Sequence, residues 1–388
     1  MKFLNSLASR SHSGYTQLIK PSVRNSKVQA IISILGKLFC CIAEYSPHAL
    51  LLVTVLYKTS KDHPFIPILD DVPRYIFVTS IIILFLGVLY KCQDLLLYHP
   101  SMPPSSRIYV PLPPPNIPYD DVFITTSDKV KLHAYFIKQQ ENEIQDAPTL
   151  VYFHGNAGNI GSPSYIPLYM TCHVNILLVE YRGYGKSEGS PSEGGLYLDG
   201  EAALLYLFDR QDINIRKVVL FGHSLGGAVA IHLATRSEFA DRIAAVIVEN
   251  TFTNIQAVAC HLFRNILPFV SYLPRWAVKN KFMSSQKIPD IQCPLLLIYG
   301  DNDEIVPSEM ARSLHETSRN PRSAVVEITN GTHNDTWCVT PLYRISIALF
   351  LRKVFDPTED RTEPVSSEEF VSLSWEWQNA VTDSTGFF

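Results

Sequence analysis

One serine of this chain lies in a five-residue pattern that is typical of a catalytic nucleophile. The pattern, Gly222-His223-Ser224-Leu225-Gly226, follows the apolar run 218–221 and precedes a helix-like segment, residues 227–234. A serine at a tight turn from strand to helix needs small neighbours, because larger side chains there would collide with the strand or the helix. The two glycines provide that clearance, so the sequence predicts that the Ser224 hydroxyl is presented at the turn.

Two later residues could activate this serine. A serine hydroxyl is a weak nucleophile at neutral pH unless a histidine takes its proton and a carboxylate orients that histidine. Asp303 follows the apolar run 295–300, and His333 follows the run 324–329. Because open α/β sheets place their sites at the carboxyl ends of the strands, we predict that Ser224, Asp303 and His333 form a catalytic triad.

Asp301 and Glu249 are the alternatives for the acid of this triad. Asp301 lies in the same loop as Asp303. Only the position of Asp303 in the sequence relative to Gly300 and to Val306-Pro307 favours it over Asp301. We interpret Asp301 as a turn residue that accepts hydrogen bonds from nearby N–H groups. Glu249 ends another predicted strand and is the weaker rival.

Two backbone N–H groups are the candidates for an oxyanion hole. One belongs to Leu225, directly after the nucleophile, and the other to Asn156, in the glycine-rich loop 153–161 that follows an earlier apolar run. A glycine-rich loop can also bind phosphate, but this one lacks the G-x-G-x-x-G spacing. The segment 183–187 fails as a Walker loop because Glu180 stands where the first glycine is required, so no nucleotide partner is expected.

The composition excludes several classes of function. The chain has 388 residues, 46% of them hydrophobic, which is enough for one large domain with extensions. Its net charge is −4 and no basic cluster alternates with aromatic residues, so nucleic-acid binding is not expected. The seven cysteines are scattered, without a C-x-x-C pair, which argues against a zinc site and a disulfide framework. We expect neither a metal nor a cofactor.

The amino-terminal part of the chain has the pattern of a membrane anchor. Residues 1–43 contain six Lys or Arg and no acid, and residues 75–90 are sixteen uncharged residues between Arg74 and Lys91. We predict a basic segment at 1–74 with an interfacial apolar stretch, then a transmembrane signal-anchor helix at 75–95. A buried core helix remains the alternative. Because residues 1–43 carry basic residues and no acid, we predict a single-pass, type II orientation with a cytoplasmic amino terminus. The anchor helix implies a lipid membrane as a partner.

The rest of the chain alternates strand-like and helix-like segments. Eight strands are predicted, at residues 122–126, 131–138, 149–154, 175–181, 217–222, 244–249, 295–300 and 324–329. The first two form a hairpin, and the later runs are typical of buried parallel strands. We therefore predict an α/β domain at 96–355 with an eight-stranded, mostly parallel sheet and helices on both faces. A proline-rich spacer, residues 100–118, lies along it, and an acidic flexible tail follows at 356–388.

The chain resembles the α/β-hydrolase superfamily of serine hydrolases, and within it the membrane-anchored α/β-hydrolase domain-containing protein 13 group. The resemblance rests on FHGNAGNIG (153–161), EYRGYGKSEG (180–189), LFGHSLGGAVAIHLA (220–234), VENTF (248–252) and GTHNDTW (331–337). It implies the α/β-hydrolase fold, a single signal-anchor helix, and the triad of Ser224, Asp303 and His333. His223 stands where the resemblance implies an arginine.

These observations predict a membrane-anchored serine hydrolase that cleaves carboxylic esters or thioesters through an acyl-enzyme. Between the strands predicted at 244–249 and 295–300, a lid insertion at about 251–292 is crowded with apolar residues. Such a lid near a membrane anchor favours a substrate with an acyl chain, either a lipid or an acylated protein. A palmitoylated protein is one such substrate. The apolar residues of this insertion could equally belong to the hydrophobic core. A noncatalytic scaffold with this fold and an acyltransferase remain the alternatives.

Overall fold

The computed structural model describes residues 72–141, 143–264 and 271–356. The predictions for the basic segment up to residue 71, for the acidic tail from 357 onward and for residues 265–270 of the insertion lie outside these residues. Of the two units into which the chain divides, the second begins at Leu97 and contains the whole sheet.

The second unit is an α/β structure. Its strands are β1 (Tyr119–Thr125), β2 (Lys131–Ile137), β3 (Thr149–Phe153), β4 (Asn175–Val179), β5 (Val218–His223), β6 (Ala245–Glu249), β7 (Leu295–Gly300) and β8 (Ser323–Ile328). The α-helices of the described residues are α1 (Val72–Leu97), α2 (Ile166–Cys172), α3 (Glu193–Phe208), α4 (Leu225–Ala234), α5 (Ile255–Phe263), α6 (Ser284–Lys287), α7 (Ser308–Thr317), α8 (Thr336–Val339) and α9 (Leu342–Phe355). Each predicted strand is present, within a few residues of its expected ends.

The eight strands form one sheet in the order β1-β2-β4-β3-β5-β6-β7-β8. β2 pairs antiparallel with β1 and with β4, and every other pairing is parallel. The predicted eight-stranded, mostly parallel sheet is therefore confirmed. β3, β4, β6 and β7 are buried along their whole length, because helices cover both faces of a sheet that is wound in this way.

Two apolar clusters fill the space between the sheet and its helices. Along β3, Val151 and Phe153 point into one cluster with α3 and α4, and Leu150 and Tyr152 point into the other with α2 and α9. This alternation follows from the two-residue period of a strand. Because both faces of the sheet are packed, the carboxyl ends of the parallel strands are held rigidly at one edge.

The helix α1 covers the residues predicted as a transmembrane anchor, 75–95. Among residues 72–141, 143–264 and 271–356, however, no helix has the length and apolar character needed to cross a membrane. The helix predicted there is present, and its membrane-spanning character is not supported.

One buried histidine should make the stability of the domain depend on pH. The ring of His232, in α4, stacks on the ring of Tyr197, in α3, with centroids 3.6 Å apart. Burial, and then the charges of Lys287 and Arg236, lower the pKa of His232 from 6.5 to about 3. Since the folded protein keeps this ring neutral while the unfolded chain protonates it, stability declines as the pH falls from 6.5 toward 3.

We expect His232→Phe to remove this part of the pH dependence while keeping the stack on Tyr197. Between pH 6.5 and about 4.5, the wild type should lose about 2 kcal/mol of unfolding free energy that the variant retains. Urea unfolding of both proteins at several pH values measures the difference. A stability difference that is the same at every pH would contradict the assignment.

Candidate active site

The turn that carries Ser224 joins β5 to α4 and has an unusual backbone. Ser224 has φ of 53° and ψ of −113°, outside the regions that non-glycine residues commonly occupy. Its N–H donates to the carbonyl of Glu249 (2.8 Å), and its own carbonyl accepts from the Thr251 hydroxyl (2.8 Å). Such a conformation costs about 1–3 kcal/mol, and two buried hydrogen bonds of about 1 kcal/mol each largely offset it. A β-carbon at Gly226 would collide with the Phe153 carbonyl, which explains the glycine.

The structure brings together the three side chains that the sequence predicts as a triad. The Nε2 atom of His333 lies 2.9 Å from the Oγ atom of Ser224, and its Nδ1 atom lies 2.7 Å from the Oδ2 atom of Asp303. All three residues are buried. With the Nδ1–H of His333 donating to Asp303, Nε2 carries no proton and is the acceptor for the serine proton. The arrangement can therefore deprotonate an alcohol.

The carboxylate that reaches the imidazole is Asp303 and not either rival. The second oxygen of Asp303, Oδ1, accepts hydrogen bonds from the N–H groups of Ile305 and Val306, both at 2.8 Å. Asp301 is exposed and accepts instead from the N–H of Asn330 (2.6 Å), as a turn residue does. Glu249 accepts from the hydroxyl of Tyr343 (3.0 Å). The orientation of Asp303 is thus fixed by its own loop.

The two predicted oxyanion donors belong to the serine turn and to a loop that packs against it. Leu225 is the first residue of α4, so its N–H is at the positive end of that helix. The loop with Asn156 packs on the turn, since a β-carbon at Gly155 would lie 3.7 Å from that of Ser224. In the described part of the chain, neither N–H donates to a protein acceptor. Both are available to a ligand.

A buried acid holds the loop that carries Asn156. Glu180 is fully buried, its Oε2 atom accepts from the N–H of Ile160 (3.1 Å), and its Oε1 atom lies 3.2 Å from Nε2 of His154. The Asn156 carbonyl accepts from the hydroxyl of Tyr184 (2.8 Å). His154 therefore lies where it supports this loop. Sequence reasoning missed Glu180 as its partner.

A cleft of about 400 Å³ opens beside these residues. Its walls are formed by segment 103–111, by loop 154–165 and by residues 333–337, with His223 and Glu249 between them. The segment expected to be a spacer is thus a wall of the cleft, and Asn159 ties it down by donating to the carbonyls of Ser106 and Tyr109, both at 2.9 Å. No described residue of 252–289, within the predicted lid, lines the cleft.

Among the described residues that line the cleft, Glu249 is the one carboxylate. Its carboxylate lies 3.6 Å from the Nδ1 atom of His223, whose ring centroid is 5.2 Å from that of His333. Burial, and then Glu249 itself, raise the pKa of Tyr343 well above its usual value, so this hydroxyl stays protonated and donates.

Among the described residues, no group of three or more His, Cys, Asp or Glu side chains is arranged to bind a metal ion.

Sequence reasoning also missed Asn250, which fastens the loop of His333 to the sheet. Its side-chain amide donates to the carbonyl of His333 (3.0 Å) and to the hydroxyl of Thr336 (2.6 Å). Its side-chain carbonyl accepts from the N–H of Gly300 (2.9 Å), at the end of β7. Asn250 is buried, with φ of 48°. One side chain thus links the ends of β6 and β7 to the histidine loop.

We expect Asn250→Gly to lower kcat about 10- to 100-fold with little change in KM, because a loosened imidazole is misplaced in the transition state more than in substrate binding. Glycine accommodates the positive φ and removes the side chain that carries the amide. Steady-state kinetics on a short-chain ester, with melting temperatures for both proteins, measure the effect.

Asn175→Ala is the matched control for this variant. Asn175 is a buried asparagine at the opposite end of the sheet, where its amide accepts from the N–H of Gln139 (2.9 Å) and donates to the carbonyl of Ile144 (2.9 Å). Its loss should lower the melting temperature and leave kcat within about threefold of wild type. Equal kcat losses in the two variants would mean that Asn250 contributes only to stability.

Comparison with known proteins places the chain among α/β hydrolases. A family model described as "alpha/beta hydrolase fold" matches residues 148–277. The chain is 36% identical to the α/β-hydrolase domain-containing protein WAV2 of Arabidopsis thaliana over 66% of this chain and 86% of the relative. It is also 36% identical to an uncharacterized membrane protein of Saccharomyces cerevisiae, over 64% and 86%. With the lysophosphatidylserine lipase ABHD12 of Danio rerio it shares 33% identity, over 45% and 48%.

Solved structures agree with this fold. The esterase Pf2001 of Pyrococcus furiosus is similar to this chain with a TM-score of 0.53 and 23% sequence identity, over 66% of this chain and 97% of the esterase. At that level of identity the likeness concerns the fold alone.

Proposed function

Because this chain belongs to the α/β-hydrolase domain family, we propose that it is a serine hydrolase that cleaves carboxylic esters or thioesters through an acyl-enzyme on Ser224. The observation that carries the proposal is the continuous hydrogen-bonded chain from Ser224 through His333 to Asp303. The lipase among the relatives supports hydrolysis as the type of reaction.

Each residue of the site has a role in the proposed reaction. His333 takes the proton of the Ser224 hydroxyl at Nε2 as the oxygen attacks the substrate carbonyl, and Asp303 stabilises the imidazolium that results. The N–H groups of Leu225 and Asn156 donate to the oxyanion of the tetrahedral intermediate. His333 then gives its proton to the leaving alcohol or thiol, and a water molecule attacks the acyl-enzyme by the same route.

For the substrate, we infer an acyl ester of a lipid or an acyl thioester of a protein. The name of the Danio rerio relative, a lysophosphatidylserine lipase, supports a lipid. A series of nitrophenyl esters and acyl thioesters of increasing chain length tests this preference. We expect kcat/KM to rise with chain length, and a flat or falling series beyond the shortest acyl groups would contradict it.

The acyl-enzyme itself can be trapped. With a nitrophenyl ester as substrate, we expect a burst of nitrophenol about equal to the enzyme concentration, because deacylation lags behind acylation when a good leaving group is used. Mass spectrometry of the quenched enzyme should place the acyl group on the peptide that contains Ser224. A protein that neither bursts nor reacts with a fluorophosphonate probe would instead be a noncatalytic scaffold with this fold.

We also propose that the amino-terminal region holds the enzyme on a membrane as a single-pass, type II protein. The uncharged run 75–90 and the exposed Ile82, Ile83 and Leu86 of α1 support attachment, as does the name of the Saccharomyces cerevisiae relative. Retention in the pellet after alkaline carbonate extraction tests attachment. Protection of the carboxyl-terminal tail from protease in sealed vesicles tests the orientation.

A further inference from the structure

The described residues between β6 and Asp290, 251–264 and 271–289, have an unusual charge distribution, and we call them together the cap segment. It contains no Asp or Glu and five basic residues, Arg264, Arg275, Lys279, Lys281 and Lys287, although the chain as a whole has a net charge of −4. A run of this length without an acid concentrates positive charge on one part of an acidic protein. Its surface therefore favours a negatively charged partner.

The same segment exposes large apolar side chains. Tyr272 is 86% exposed and Trp276 is 78% exposed, and the exposed Arg275 lies between them in sequence. Tyrosine and tryptophan combine an apolar ring with a polar group, a combination that is enriched where protein meets the lipid headgroups. Exposed aromatic rings of this size, next to an exposed arginine, are costly in water and need a reason.

The helix of the cap segment adds to this surface. In α5, which is rich in apolar residues, no residue is fully buried. Ile255 and Val258 pack in part against the core, whereas the half-exposed Leu262 and Phe263 do not join either apolar cluster of the described residues. Because no described residue of 252–289 lines the cleft, substrate binding there does not account for this exposure.

We propose that the cap segment docks on the surface of an anionic lipid bilayer, with Tyr272 and Trp276 among the headgroups and Arg264, Arg275 and Lys281 facing lipid phosphates and carboxylates. A second copy of this chain fits less well, because a symmetric contact would place these cations against their own counterparts. The inference rests on the proposed membrane attachment, which keeps the enzyme near a bilayer, and it assigns the surface that meets that bilayer.

The depth of Trp276 in the bilayer is the direct test. The full-length protein, with its three other tryptophans changed to phenylalanine, is reconstituted in phosphatidylcholine vesicles with or without about 30 mol% phosphatidylserine, and lipids with brominated acyl chains serve as quenchers. We expect Trp276 emission to shift to shorter wavelength and to be quenched when phosphatidylserine is present. A protein that keeps only Trp337, at the cleft, is the control and should not be quenched.

Charge reversal separates docking from attachment. Arg275→Glu should weaken docking about fivefold for each unit of charge changed, and quenching should fall accordingly. Arg216→Glu, at an exposed site before β5, is the matched control and should quench as the parent does. Quenching that is absent in both lipids, or equal in both, overturns the proposal. A spectral shift that depends on the amount of protein per vesicle overturns it in favour of a second copy.

The docking result and the proposed hydrolysis can fail independently. Quenching is measured in the Ser224→Ala background as well, where docking should be unchanged. Esterase activity on a short-chain soluble substrate is measured in detergent without vesicles. Esterase activity without quenching removes the docking surface alone, whereas quenching without esterase activity removes the proposed reaction and leaves the surface in place.

Discussion

Ser224→Ala should lower kcat/KM for ester hydrolysis about 10⁴- to 10⁶-fold, which corresponds to about 5–8 kcal/mol of transition-state stabilisation. The size follows from the chemistry, because without the Oγ atom no covalent intermediate forms and only the oxyanion donors and substrate binding remain. Alanine keeps the β-carbon in the same strained backbone, so the melting temperature should change by only a few degrees. Initial rates and reaction with a fluorophosphonate probe measure the effect.

Ser237→Ala is the control for this variant, because Ser237 is a surface serine whose hydroxyl donates to the neighbouring Glu238. Its activity and probe labelling should match those of the wild type. If Ser224→Ala retained labelling, another nucleophile would be at work and the proposed mechanism would be wrong. If the wild type itself were unlabelled and inactive toward esters, the scaffold alternative would gain support.

The strands were predictable because their signal is local. Each buried strand is a short apolar run with a turn on either side, and β7 has the limits expected from sequence, residues 295–300. The ends of other strands shift by a few residues, as at β1, where pairing with β2 extends the strand back to Tyr119. Hydrogen bonding to a neighbour decides where a strand ends, and a single sequence does not contain that information.

The parts of the site that sequence reasoning missed depend on contacts between distant residues. Asn250 belongs to a motif that was noted, VENTF, but its partners His333 and Thr336 are more than 80 residues away in the chain. The same holds for segment 103–111, where the prolines indicate a stiff spacer while the Asn159 side chain makes it a wall of the cleft. Patterns along the chain identify reactive residue types, and the fold decides which polar residues support them.

The two neighbouring carboxylates, Asp303 and Asp301, should differ widely in their importance for kcat. Asp303→Asn should lower kcat about 10⁴-fold, because an amide at this position imposes the wrong tautomer on His333. The N–H groups of Ile305 and Val306 both point at Oδ1, so the amide oxygen takes that place and the NH₂ group turns to the imidazole. His333 must then accept at Nδ1 and carry its proton on Nε2, where it can no longer accept the proton of Ser224.

Asp301→Asn is the matched comparison, two residues away in the same loop. The Asp301 carboxylate accepts a hydrogen bond from the N–H of Asn330, and an amide oxygen can accept it equally well, so kcat should stay within about threefold of wild type. Rates for both variants on one soluble ester decide between the carboxylates. A large loss in Asp301→Asn with a small one in Asp303→Asn would assign the acid to Asp301, and equal small losses would mean that His333 needs no carboxylate. The geometry favours Asp303 because only its carboxylate is aimed at the imidazole by the backbone of its own loop.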